Sequence, residues 1–68
     1  MRVLLAEHDH ALYADLLRGL QPDLDLAISD DPTELAELAP GCEVWLGEPD
    51  LLATVLRKGH KPQWLQST

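Results

Sequence analysis

The sequence has no phenylalanine, and its aromatic side chains are limited to two tryptophans and one tyrosine, Trp45, Trp64 and Tyr13. Any hydrophobic core must therefore consist mainly of Leu, Val, Ile and Ala. Hydrophobic residues make up 46% of the chain, which is typical of a globular protein and argues against disorder. A domain of about 60 residues buries only about 60% of the surface of its unfolded chain, so a core of this size is marginal by itself.

Cysteine is almost absent too, because Cys42 is the only one in the 68 residues. A single thiol excludes an internal disulfide and suits a reducing compartment, so we expect a cytoplasmic protein. We interpret Cys42 as a small buried residue at the start of a strand rather than as a nucleophile. The first apolar run, Val3–Ala6, is too short for a signal peptide, and no stretch approaches the length of a membrane span.

Basic residues are scarce: the chain has 5 Lys and Arg against 12 Asp and Glu, a formal net charge of −7. Nucleic-acid binding relies on clustered basic side chains that displace counterions from phosphates. An anionic membrane surface attracts the same basic clusters. The charge balance therefore argues against both nucleic acid and membrane as partners.

Apolar runs alternate with helical patterns along the whole chain. The predicted strands are Val3–Ala6, Leu24–Ser29, Cys42–Gly47 and Gln63–Ser67, and the predicted helices are Ala11–Leu20, a short helix from Pro32, and a helix from Pro49 to Lys58. A β-α-β-α-β-α-β order with short links predicts a parallel sheet with right-handed crossovers. We therefore predict an α/β fold, a flavodoxin-like doubly wound sheet with four strands in the order 2-1-3-4 and three helices.

Local signals support the helix boundaries. Asp31, Pro32 and Glu34 form a strong helix start, with Asp31 as the N-cap, and Gly59 supplies a left-handed stop after the third helix. Asp9 and Glu48 are the predicted caps of the first and third helices. The residues that we expect to face the core are Leu12, Leu16, Leu17 and Leu20 in the first helix and Leu52, Val55 and Leu56 in the third.

The sheet predicted in this way is incomplete, because flavodoxin-like folds usually have a fifth strand and more helices. Residues 1–68 are therefore interpreted as one partial domain. Its fourth strand would be an exposed apolar edge, which favours pairing with another strand. A homodimer formed through the edge of strand four is one way to cover it. Trp45 and Trp64 are both expected to pack in the core.

Open α/β sheets bind ligands beyond the carboxyl ends of the strands, where the strand order reverses. That place gathers Glu7, His8, Asp9 and His10 after strand one, and Gly47, Glu48 and Pro49 after strand three. Glu7 and Asp9 offer oxygen ligands for a cation such as Mg²⁺. The preferred interpretation is a helix cap and solvated neighbours, so no metal site is assigned. The turn Gly47–Pro49 is equally consistent with an anion site and with an ordinary strand-to-helix turn.

Motifs that carry chemistry are missing. The chain has no G-x-G-x-x-G, no P-loop lysine and no G-x-S-x-G. No catalytic residue and no cofactor-binding residue is therefore predicted within these 68 positions.

The opening "MRVLLAEHDHALYADLLRGL" resembles the start of a response-regulator receiver domain. The resemblance implies that Glu7 and Asp9 are metal-site acids. That family also has a phosphorylatable Asp at the end of strand three, where this chain has Gly47, and Asp50 comes too late. The alternative function is therefore a degenerate receiver-like module for signalling or protein interaction.

A second resemblance covers nearly the whole chain. The segment "CEVWLGEPDLLATVLRKGHKPQWLQST" resembles the N-terminal substrate domain of the D-isomer-specific 2-hydroxyacid dehydrogenases. In that family a strand of the type "LKWLQST" leads into a loop whose backbone amides hold the substrate carboxylate. The resemblance implies that the chain is truncated at Thr68, beside its own active site.

This resemblance implies a parent enzyme that uses NAD(P) to reduce a small 2-keto acid to a D-2-hydroxy acid. The residues it places beside the substrate cleft are Leu46, Gly47, Glu48, Ser67 and Thr68. The family's catalytic Arg, Glu and His, and its dinucleotide fingerprint, lie beyond the last residue of this sequence. We therefore expect these 68 residues alone to be inactive and to bind no NAD(P).

Overall fold

The computed structural model describes residues 2–68, which form one parallel sheet and three α-helices. The strands are β1 (Arg2–Ala6), β2 (Asp25–Ser29), β3 (Val44–Gly47) and β4 (Trp64–Ser67). The helices are α1 (His10–Leu20), α2 (Pro32–Leu38) and α3 (Pro49–Arg57), with a 3₁₀ turn at Ala39–Gly41. None of the helices within residues 2–68 is long and apolar enough to cross a membrane.

The strand order is β2-β1-β3-β4, and every pairing is parallel. The fold class and the strand order predicted from the sequence are therefore confirmed, and the architecture is consistent with a flavodoxin-like fold. Ala6 pairs with Ser29 on one side and with Gly47 on the other, and Gly47 pairs in turn with Ser67. These four residues mark the carboxyl edge of the sheet.

The main core lies between the sheet and the helices α2 and α3, which pack against each other. Trp45 is completely buried at its centre, as predicted. Cys42 is also buried but precedes β3, because the strand begins two residues later than predicted. Its thiol donates to the carbonyl of Leu38 at 3.4 Å, and burial raises the pKa of the Cys42 thiol.

Helix α1 contacts β1 and β2, and its orientation differs from the prediction. Leu12, Leu16 and Leu20 are exposed by 52%, 57% and 84%, whereas Ala14 is buried. Leu12, Leu16 and Leu20 are spaced by four, and such a row rotates by about 40° per step around a helix of 3.6 residues per turn. The side that faces the sheet carries Ala14 instead, with Leu17, also predicted to face inward, half-buried beside it. The small side chain of Ala14 lets the backbone of α1 approach the strands.

The boundary signals of α2 and α3 behave largely as predicted. The Asp31 carboxylate accepts the backbone N–H of Glu34 at 3.3 Å, and Gly59 ends the third helix with φ of +92°. The buried residues of α3 are Leu51, Leu52 and Val55. Leu56 is 42% exposed, so its predicted inward position is wrong, because the buried face of α3 lies one residue earlier in the helix.

All four residues of β4 are exposed. The prediction that Trp64 packs in the core is wrong, since its side chain is 63% exposed. The reason is its position in an edge strand: β3 pairs with one side of β4, and no strand of the described chain pairs with the other. Among residues 2–68, the sheet is therefore open at β4.

Candidate functional site

The carboxyl edge of the sheet is built around Gly47, the last residue of β3. A Cβ atom at this position would lie 2.0 Å from the carbonyl oxygen of Ala6, at the end of β1. That carbonyl also accepts the N–H of Glu48 at 2.8 Å. Only glycine permits this close approach, which brings the loops after β1 and β3 into contact.

His8, in the loop after β1, is hydrogen-bonded to Glu48, in the loop after β3. The Oε2 atom of Glu48 accepts the backbone N–H of His8 at 2.8 Å and lies 2.5 Å from its Nδ1. The hydrogen bond and the negative charge of Glu48 raise the pKa of His8 above its ordinary value of 6.5. The two hydrogen bonds from His8 lower the pKa of Glu48 below its ordinary value of 4.5. The pair is therefore an ionic hydrogen bond at mildly acidic pH.

Glu7 makes a second link, to the end of β4. It is only 6% exposed, and its Oε2 accepts the hydroxyl of Thr68 at 2.6 Å. The backbone N–H of Thr68 donates to the carbonyl of Gly47 at 2.8 Å. Residues from the ends of β1, β3 and β4 are thus joined in one hydrogen-bonded group.

Four of the five residues assigned to a substrate cleft meet at this edge. Gly47 and Ser67 are register partners, and Glu48 and Thr68 follow them directly. Leu46 lies one position earlier, inside β3, where it pairs with Leu5. The sequence interpretation missed the roles of Glu7 and His8, and only the strand register, which places residues 7, 48 and 68 at the same level, would have indicated them.

Asp9 occupies the position before α1, as predicted, but its side chain makes no capping hydrogen bond. The Glu48 side chain likewise caps nothing, because its carboxylate bonds to His8 instead. For the alternative Mg²⁺ site at Glu7 and Asp9, a third ligand is missing: within residues 2–68 no three His, Cys, Asp or Glu side chains come together as a metal site.

The receiver-like alternative requires an aspartate at the end of β3. Gly47 stands there, and even a methyl group at this position would collide with the backbone of Ala6. A phosphate-accepting side chain has no room without separating β1 from β3. The geometry therefore gives no support to phosphoryl transfer at this edge.

The charges of the site limit what it binds directly. Glu7 and Glu48 contribute two carboxyl groups, of which Glu48 bonds to the imidazole of His8 and Glu7 to the hydroxyl of Thr68. The Glu48 carboxylate lies at the start of α3, where it disfavours the anion that the sequence pattern Gly47–Pro49 allowed. The described side chains therefore connect loops and do not cradle an anionic ligand.

No family model, no curated protein and no solved structure matches this chain in the three comparisons with known proteins.

Proposed function

We propose that the chain is the N-terminal part of the substrate domain of a D-isomer-specific 2-hydroxyacid dehydrogenase. The observation that carries the proposal is the meeting of β3 and β4 at the carboxyl edge, where the N–H of Thr68 donates to the carbonyl of Gly47 at 2.8 Å. The resemblance assigns both of these residues to the border of the substrate cleft. The flavodoxin-like strand order agrees with the fold of that domain.

The open edge at β4 also fits this proposal. Trp64 and Leu65 are exposed by 63% and 39%, and an uncharged strand with one open side is a surface that a further strand can cover. In the proposed parent the chain continues beyond Thr68 into the carboxylate loop and the remaining strands. The substrate carboxylate would be bound there by backbone amides, which agrees with the lack of a cationic cradle among Glu7, His8 and Glu48.

The residues of this chain do not fit a nicotinamide cofactor. The sequence has no dinucleotide fingerprint, and a cradle for a pyrophosphate is not found at the carboxyl edge, where Glu48 lies at the start of α3. In the proposed parent, NAD(P) would bind to other residues, and no catalytic step is assigned to the residues of this chain. Its part is to form one wall of the cleft for a small 2-keto acid.

The test is made on the native gene product, isolated from its source cells with an antibody against this segment. We expect an intact mass several times 7.6 kDa. We also expect oxidation of NADH or NADPH that depends on glyoxylate, hydroxypyruvate or pyruvate. A native product of 7.6 kDa, or a larger one without activity towards any 2-keto acid, would refute the proposal.

A further inference from the structure

Glu7 is a carboxyl group in an unusual place. It follows directly after the central strand β1 and is only 6% exposed. A buried polar group destabilises a small domain unless it is hydrogen-bonded. The hydroxyl of Thr68, 61 positions further along the chain, donates to Oε2 at 2.6 Å and supplies such a bond.

This hydrogen bond spans a strand. β1 and β4 are not neighbours in the sheet, since β3 lies between them, and two strand spacings separate them by about 9–10 Å. The last residue of β3 is Gly47, which has no side chain and lies in register between Ala6 and Ser67. The Glu7 side chain therefore meets Thr68 just beyond the end of β3, where Gly47 adds no side chain beside the contact.

Thr68 is held at two points. Its N–H is held by the carbonyl of Gly47 and its hydroxyl by Glu7, so both its backbone and its side chain are fixed at the end of β4. In the proposed parent, that backbone is the entrance to the loop that binds the substrate carboxylate. A loop of this kind binds more tightly when its amides are held in place before the substrate arrives.

We propose that Glu7 is a positioning residue, which orients the substrate-binding loop by holding the Thr68 hydroxyl. The inference rests on the proposed function for the identity of the loop, whereas the hydrogen bond itself is a property of the 68-residue chain. Glu7 does not touch the substrate. It acts through Thr68, and the amide of glutamine, which keeps an oxygen acceptor, replaces it in this role.

The first arm of the experiment uses the 68-residue chain. Hydrogen exchange of the amide of residue 68, relative to its rate in an unstructured peptide, is measured by NMR for Glu7→Ala, Glu7→Gln, Thr68→Val and the double variant Glu7→Ala with Thr68→Val. We expect exchange about tenfold faster in Glu7→Ala and in Thr68→Val, no further increase in the double variant, and near-normal exchange in Glu7→Gln. This tenfold change corresponds to about 1.4 kcal/mol. Glu37→Ala, an exposed substitution on α2, is the matched control.

The second arm uses the native gene product. We expect Glu7→Ala to raise KM for the 2-keto acid about tenfold with a much smaller change in kcat and an unchanged KM for the nicotinamide cofactor, and Glu7→Gln to restore the keto-acid KM. A merely structural loss would lower the amount of active enzyme and leave KM unchanged.

The two arms separate the possible failures. Unchanged Thr68 exchange in both Glu7→Ala and Thr68→Val would overturn the inference whatever the native product does; Thr68→Val decides the matter if Glu7→Ala does not fold. Altered exchange with an unaltered keto-acid KM would overturn the positioning role. Altered exchange in the 68-residue chain, together with a native product that has no dehydrogenase activity, would refute the proposed function, and with it the role in substrate binding, while leaving the Glu7–Thr68 contact established.

Discussion

The carbonyl oxygen of Ala6 lies where only a glycine at position 47 leaves room for it: a Cβ on Gly47 would come within 2.0 Å of that oxygen and within 2.9 Å of the Cα of the same residue. The atoms that would be hit belong to the backbone of β1, so no flexible side chain can move aside. This contact keeps the two central strands together at the carboxyl edge, where four of the five candidate cleft residues are found.

We predict that Gly47→Ala destabilises the domain by about 1–3 kcal/mol, the usual cost of forcing an extra carbon atom into a packed site. The matched control is Gly19→Ala in α1, where a Cβ meets nothing within 4 Å. That substitution should stabilise the helix by about 0.5–1 kcal/mol. Urea unfolding followed by tryptophan fluorescence measures both variants. Equal stabilities for the two would contradict the close contact with Ala6.

The pair of His8 and Glu48 predicts a dependence of stability on pH. The folded-state pKa of His8 is raised, so its contribution is complete below about pH 6.5 and is lost as the pH rises through the higher folded value. The folded-state pKa of Glu48 is lowered, so its contribution is present above about pH 4.5 and is lost as the pH falls through the lower folded value. The pair therefore stabilises the loops most between about pH 4.5 and 6.5.

NMR titration of the His8 ring tests this prediction directly. We expect a His8 pKa above 6.5 in the wild-type chain and a lower value in Glu48→Gln, because the charged acceptor is gone. Asp9→Asn removes a neighbouring carboxylate that makes no hydrogen bond to the ring and should change the His8 pKa much less. An identical titration of His8 in the wild type and in Glu48→Gln would show that the pair does not form.

The start of α2 provides a prediction about stability alone. Asp31→Ala removes the acceptor for the N–H of Glu34 and should cost about 0.5–2 kcal/mol, as the loss of an N-cap usually does. Asp23→Ala, in the exposed turn before β2, is the control and should change the free energy of unfolding by less than about 0.5 kcal/mol. Urea unfolding at pH 7 compares them. If Asp31→Ala lowered the free energy of unfolding no more than Asp23→Ala does, the assigned start of α2 would be wrong.

The sequence was sufficient for the features that depend on local chemistry. The Asp31, Pro32 and Glu34 pattern predicts α2 because a cap and a proline act on the adjacent turn. The alternation of strands and helices predicts the sheet order because parallel connections have one hand. These signals act over a few residues or follow from general rules of topology, and neither kind depends on side-chain packing.

The features that depend on packing between distant segments were not predictable in this way. The orientation of α1 is set by the small size of Ala14 against the sheet, whereas the pattern of leucines indicates a different face. Trp64 looks like a core residue in the sequence, and its exposure follows only from the position of β4 at the edge. The contact between Glu7 and Thr68 joins residues 61 positions apart, so no local sequence pattern predicts it.

The two edges of the sheet are unequally protected against pairing with another chain. β2, at one edge, contains Asp25 and is followed by Asp30 and Asp31, and edge carboxylates discourage pairing with another chain. β4, at the other edge, has no charged residue from Trp64 to Ser67, and all of its residues are exposed. In isolation, the 68-residue chain should therefore associate through β4 with a second copy.

We expect sedimentation velocity to show a concentration-dependent monomer–dimer equilibrium of the isolated chain. Added salt should strengthen it, because each copy carries a net charge of −7 and screening weakens their repulsion. Trp64→Lys places a charge on the edge and should abolish dimerisation. Leu20→Lys changes an even more exposed apolar residue on α1, which contacts β1 and β2 rather than β4, and should leave the dimer intact. A strict monomer at millimolar concentration and high salt would show that β4 is not the surface that associates. Equal loss of dimerisation in Trp64→Lys and Leu20→Lys would show the same.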